Sequence, residues 1–141
     1  MDSQTGRARP SSEDRAECRL HAALGPAELA AVATLRHRLR EALGDWGAPQ
    51  LADTAELLVS ELVTNALLHT EHGAVLDAVL GADRRLRVEV RDESGRLPRP
   101  RPPAEAATSG RGLLLVEALA DAWGVQVRAD GKVTWFELAG S

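Results

Sequence analysis

The chain holds one cysteine, Cys18, and no tyrosine. A single thiol excludes an internal disulfide and any zinc site built from cysteines. Aromatic residues make up only 3% of the sequence, one phenylalanine and three tryptophans, so a core has to be assembled from leucine, valine and alanine. There is no excess of positive charge: Lys and Arg total 17 against 21 Asp and Glu, a formal net charge of −4. That balance argues against direct nucleic-acid binding, which needs a basic surface. It leaves room for a small anion held by a few local groups. No run approaches the roughly 18 apolar residues of a membrane span, and Met1 to Pro10 lack the apolar core of a secretory signal. The expected location is cytoplasmic, without a membrane partner. Several common catalytic signatures are missing too. Gly131-Lys132 has neither the preceding spaced glycine nor the following Ser/Thr of a Walker A loop. No metalloprotease His pair, hydrolase nucleophile elbow or eukaryotic kinase catalytic loop is found.

What is present is globular: 141 residues, 44% apolar and 27% charged, enough for one domain with a real core. Residues 1–14, polar and charged with Pro10, Ser11 and Ser12, read as a disordered tail, and 15–141 as a single domain. Residues 16–24 alternate loosely, as an edge strand does. Gly25-Pro26 begins a helix that carries Leu29, Val32, Leu35, Leu39 and Leu43 and ends at Gly44 or Gly47, with Trp46 packed at that end. A second helix follows and closes near Thr70–Gly73. Residues 74–80 and 85–92 read as two strands joined by the turn Gly81 to Arg84. In the second of them Leu86, Val88 and Val90 point one way, Arg87, Glu89 and Arg91 the other. Residues 96–109 contain four prolines and cannot pair within a sheet. An apolar helix then runs from Leu113 to Trp123, and 124–129 and 132–138 form a final hairpin. Strands joined by tight turns predict a mixed, mostly antiparallel sheet with helices on one face, a two-layer α+β sandwich.

The second helix is the most informative element. Leu57, Leu58, Val59, Leu62, Val63, Ala66, Leu67 and Leu68 leave little room for a wet face. Yet Glu61, Asn65 and His69 recur every fourth residue, along one narrow stripe at about 100° per residue. Polar groups on a buried helix are costly unless paired, hydrated or bound to a ligand. A magnesium–phosphate group with its waters would suit that stripe; the alternative is that the stripe is the solvent side of an ordinary amphipathic helix. Two further segments belong with it. Asp92-Glu-Ser-Gly95 follows a strand end, where a carboxylate can accept a hydrogen bond from an exocyclic amine. Gly110-Arg-Gly112 opens a helix, where exposed N–H groups and the helix dipole favour an anion. These are the parts of a nucleotide site without a P-loop.

Glu61-Leu-Val-Thr-Asn65, Val90-Arg-Asp92 and Gly110-Arg-Gly-Leu113, in this order and spacing, resemble the N, G1 and G2 boxes of the GHKL (Bergerat-fold) ATP-binding superfamily. The small size and the wording Ser60-Glu-Leu-Val-Thr-Asn-Ala66 resemble its branch of anti-sigma-factor serine/threonine kinases, as does the closing segment Gly131 to Leu138. The similarity covers residues 16–138. It implies that ATP and Mg²⁺ bind here. Asn65 would hold Mg²⁺ against the phosphates, and Glu61 would serve as general base. Asp92 would accept the adenine amino group, beside Ser94 and Gly95. Gly110, Arg111, Gly112 and Leu113 would approach the phosphates, and residues 96–109 would form the lid. His69 would cap or orient the helix end. One departure stands out: the family pattern Asp-x-Gly-x-Gly has Ser94 and Arg96 at its glycine positions. The implied activity is an ATP-dependent protein serine/threonine kinase. Its implied partners are a sigma factor or another regulator and a STAS-type antagonist, and a homodimer is compatible with the resemblance. A binding-only regulator is the alternative, favoured by the relaxed G1 box as retained Glu61 favours the kinase. A histidine-kinase catalytic fragment is the third reading. It is disfavoured because no helix pair bearing a phosphoacceptor histidine is read ahead of the domain, and His37 reads as an exposed helix residue.

Overall fold

A computed structural model describes residues 18–26, 28–68, 72–92, 113–129 and 131–140. In chain order the elements are strand β1 (Arg19–Leu24), helix α1 (Ala30–Asp45), a short 3₁₀ turn (Pro49–Leu51), helix α2 (Ala52–Leu68), strands β2 (Ala74–Leu80) and β3 (Arg85–Asp92), helix α3 (113–119), and strands β4 (Ala122–Arg128) and β5 (Gly131–Ala139). The five strands form one sheet in the order β1-β2-β3-β5-β4, with every neighbouring pair antiparallel. Helices α1 and α2 cover one face, so the fold is the expected two-layer α+β sandwich.

The core lies between those layers. Leu39, Leu43, Leu58, Val59 and Val63 from the helices meet Leu76, Leu86, Val88 and Phe136 from the strands, all fully buried. Phe136 is the sole phenylalanine and sits on the inner sheet face between Val88 and Trp123. The opposite face is covered by its own long side chains. Arg85 and Arg87 both bind Glu137, at 2.6 and 3.0 Å. The Arg87 guanidinium also lies 4.2 Å from the Trp135 ring centroid, a cation–π contact. Arg19 and His21 on β1 converge on Asp77 of β2, at 3.3 and 2.8 Å.

Strands β1, β2 and β3 lie where alternation placed them, and β1 is an edge strand. The helix boundaries differ from expectation in two places, and in a third one of the two expected stops is chosen. Pro26 does not start α1. The Glu28 amide bonds to the Gly25 carbonyl at 3.2 Å, making a turn, and regular helix begins at Ala30. At the other end Gly47, not Gly44, stops the helix. Gly47 has φ +79, its amide bonds to Gly44 at 3.1 Å, and Ala48 bonds back to Leu43 at 2.8 Å. That is the Schellman arrangement, which needs a left-handed residue at Gly47's place. Helix α3 does not reach Trp123. The Ala120 amide still bonds to Val116 at 2.8 Å, but the Asp121 amide turns to Glu137 of β5 at 2.9 Å. From Ala122 the chain is strand, and Trp123 lies opposite Phe136. Pairing with β5 overrides an apolar run that contains no helix breaker.

The expectation of a helix buried almost all round also needs correction. Leu57 and Leu68 of α2 are 42% and 60% exposed, and Asp53 is exposed as well. The helix has an open face, with Glu61 and Asn65 half-buried along its border. The tail 1–14 lies outside the described residues.

Candidate functional site

Glu61 and Asn65 stand one turn apart on α2. The first half of that helix is tied to α1 by Arg40, whose guanidinium reaches Asp53 at 2.5 Å and also Glu56. This ion pair sits little more than a turn before Glu61, so the stripe is carried on a braced element. Residues 69–73 lead from the end of α2 into β2, and Ala74 at the start of β2 is paired directly with Asp92 at the end of β3. The short link keeps the last turns of α2 and the Asp92 end of the sheet on the same side of the molecule.

Asp92 is the decisive residue. Its neighbours on the inner face of β3, Leu86, Val88 and Val90, belong to the apolar core. Asp92 continues that face and is 6% exposed. Its Oδ1 is buried and has no hydrogen-bond partner among the described residues. A buried carboxylate oxygen left unpaired carries a large desolvation cost. An amine donor on a ligand would remove that cost, so the residue fits an exocyclic amino group. The half-buried Asn65 carboxamide and Glu61 carboxylate are oxygen donors of the type that Mg²⁺ accepts. Asn65 would hold the ion, which would leave Glu61 for proton transfer.

Sequence reasoning missed two neighbours of Asp92. Thr134 on β5 is the other buried polar residue among the described ones, 7% exposed, and pairs with Val90. Lys132 pairs directly with Asp92. Both therefore share the inner face with it, since opposed residues of a ladder project to the same side. Nothing in the run Gly131 to Leu138 marks them, because an isolated threonine or lysine in a strand carries no signal of its own. Strand register alone brings them to Asp92. Beside them, on β4, Val125 and Val127 oppose Thr134 and Lys132 and are 40% and 66% exposed. The inner face here is an open apolar floor next to a buried acid.

Leu113 is the first residue of α3 and is half-buried. The other expected positions, Ser94, Gly95, Gly110, Arg111, Gly112, His69 and the lid 96–109, lie outside the described residues. Among the described residues no group of three or more His, Cys, Asp or Glu could hold a metal by itself, and no helix is long and apolar enough to cross a membrane.

Comparison with known proteins identifies the family of the fold. The family described as "Histidine kinase-like ATPase domain" matches residues 25–138. No curated protein is significantly similar to the chain. Among solved structures, the RsbU and RsbW domains of Rv1364c from Mycobacterium tuberculosis align with TM-score 0.67 and 28% identity, over 86% of this chain and 32% of that one. The blue-light activated histidine kinase EL346 of Erythrobacter litoralis aligns with TM-score 0.51 and 28% identity, over 66% of this chain and 31% of that one. Its histidine kinase domain, at 21% identity and TM-score 0.50, shares the fold. The chain thus spans about a third of the first two proteins' length. With helix α2, the Asp92 strand end and the closing hairpin all inside the matched residues, the chain belongs to the histidine kinase-like ATPase domain family and has its GHKL fold.

Proposed function

We propose that the chain is an ATP-binding regulatory domain that acts as an anti-sigma-type protein serine/threonine kinase in a partner-switching pathway. The observation that carries the reading is the buried Oδ1 of Asp92, without a partner among the described residues, together with a braced helix that carries Glu61 and Asn65. Asp92 would accept the adenine amine and Asn65 would bind Mg²⁺, whose charge offsets that of the phosphates. Glu61 would accept the proton of an attacking serine hydroxyl. Ser94, Gly95, Gly110, Arg111, Gly112 and Leu113 complete the proposed nucleotide contacts. The similarity to a structure containing an RsbW domain supports a STAS-type antagonist as phosphoacceptor and a sigma factor or other regulator as sequestered partner.

A second reading, binding without transfer, rests on Ser94 and Arg96 at the glycine positions of the G1 box. The two separate in one experiment. The protein is incubated with Mg²⁺, γ-labelled ATP and candidate STAS proteins, with Glu61→Ala as control. Label should appear on serine or threonine of a STAS protein. The Glu61→Ala variant should bind ATP within a few-fold of the wild type and transfer about 10²-fold more slowly or worse, the usual range for a lost general base. ATP binding without transfer to any partner would favour the second reading. Label retained at wild-type rate in Glu61→Ala would remove Glu61 from the chemistry.

A further inference from the structure

Resting on the reading of Glu61 as the base that activates an attacking serine, we propose that Leu57 and Leu68 form the docking strip for the acceptor protein. The acceptor meets the strip with apolar side chains on both sides of its serine. The two leucines are 42% and 60% exposed, on a helix whose other leucines and valines are all buried. At about 100° per residue they project within about 40° of Glu61, on the side away from Asn65. With a rise of about 1.5 Å per residue, Leu57 lies about 6 Å to one side of Glu61 along the axis and Leu68 about 10 Å to the other. Thr64, half-buried, sits between the leucines.

Glu61 thus stands on a boundary. One flank carries the Asn65 carboxamide, proposed for Mg²⁺ and the phosphates. The other is hydrocarbon. A general base has to lie within hydrogen-bond reach of the hydroxyl it activates, and in-line transfer sets that hydroxyl opposite the leaving oxygen. With the phosphates on the Asn65 flank, the serine arrives over the leucine flank. Water as nucleophile would gain nothing from exposed leucines there, whereas a protein acceptor buries them on arrival. The charges agree with an apolar partner. Asp53 and Glu56 are taken up by Arg40, so Glu61 is the one carboxylate of α2 in no ion pair among the described residues. A single acid between apolar side chains matches a hydroxyl carried on an apolar segment. In an extended acceptor segment, at about 3.3 Å per residue, the matching apolar residues fall about two positions to one side of the serine and three to the other.

The test uses the full chain with Mg²⁺, γ-labelled ATP and candidate STAS proteins. It compares the wild type with Leu57→Gln/Leu68→Gln and Leu57→Met/Leu68→Met. Glutamine has nearly the helix propensity of leucine, and exposed positions seldom decide stability. The Gln variant should bind Mg–ATP within about twofold of the wild type by calorimetry. Its KM for the acceptor should rise at least about tenfold, the worth of one or two buried leucines. Its kcat at saturating acceptor should stay within about threefold, as happens when binding shared by ground and transition states is removed. The Met variant keeps the apolar surface and should keep KM within about threefold. An unchanged KM in the Gln variant would overturn the strip and leave the kinase reading standing. A loss confined to kcat or to ATP affinity would assign the leucines to the catalytic or nucleotide site and would also overturn it. Sedimentation of the same proteins detects a second copy on the strip: a dimer lost in the Gln variant at unchanged KM would give the strip to that copy. Wild-type protein that binds ATP and labels no STAS protein would overturn the kinase reading, and the strip with it.

Discussion

Asp92 carries a burial cost that the proposed ligand would remove. It occupies a core-facing position that Leu86, Val88 and Val90 fill with hydrocarbon, and its buried oxygen has no partner among the described residues. Sites that hold such a group trade stability for binding. The near-isosteric Asp92→Asn substitution should therefore leave the ligand-free melting temperature unchanged or raise it, because the buried Oδ1 has no described partner to lose. It should also abolish the rise that Mg–ATP produces in the wild type. Thermal melts with and without nucleotide decide it. A less stable apo variant that still responds fully to ATP would make Asp92 a structural residue. Asp92 was legible in the sequence as a carboxylate just past an alternating strand. Its burial was not, because alternation gives the face and not the depth. Glu61 and Asn65 were legible through their fourth-residue spacing. Thr134 and Lys132 were not, since their meaning comes from the strand opposite.

At the scale of elements, two glycines show how a chain position acquires its importance. Gly73 has φ +90, and a Cβ there would lie 2.2 Å from the Leu24 carbonyl oxygen. It sits where the chain leaves α2 and enters β2 beside β1. Gly73→Ala should cost about 2 kcal/mol or more, combining backbone strain with a clash against main chain. Gly44 lies within the last turn of α1, and a Cβ there would meet nothing within 4 Å. Gly44→Ala should gain about 0.5–1 kcal/mol through helix propensity. Urea midpoints measure both, with slopes unchanged if unfolding stays two-state. A Gly73→Ala midpoint equal to wild type would mean that the β1–β2 entrance can rearrange. The sequence offered Gly44 and Gly47 as equal stops for α1. The hydrogen bonds to Gly47 and Ala48 decide between them. Arg84, from the β2–β3 turn, adds a cation at that helix end by donating to the Trp46 carbonyl at 3.2 Å and to that of Gly47. No local pattern could have announced a cap from so far along the chain.

For the whole molecule, the two carboxyls held below their ordinary range among the described residues, Asp77 and Glu137, lie on the face of the sheet away from the helices. Hydrogen bonds from Arg85 and then Arg87 hold the Glu137 carboxyl below its ordinary range, against the opposing effect of burial. At Asp77 burial pushes upward, but His21 and Arg19 together outweigh it, so that carboxyl is also lowered. A carboxylate with a lower pKa folded than unfolded adds stability that is complete above its unfolded value, near 4. That stability is lost as the pH falls through the folded value. Wild-type stability should therefore decline below about pH 4. The Asp77→Asn/Glu137→Gln variant should start lower near neutral pH and show a shallower decline. Urea unfolding at a series of pH values would reveal it. Parallel curves for the two proteins would mean that the Arg-rich face contributes nothing to acid sensitivity.

The sequence by itself determined the local patterns. Strands 74–80 and 85–92 follow from alternation, α1 and α2 from apolar spacing, and the Glu61–Asn65 stripe from the helical repeat. Each depends on residues a few positions apart, where backbone geometry alone dictates which side chains share a face. Only the tertiary structure decided what long-range pairing controls. It ended α3 before Trp123, opened one side of α2 at Leu57 and Leu68, and set Thr134 and Lys132 beside Asp92. Register between distant strands determines which residues meet, and a shift of one position would turn every one of these side chains to the other face.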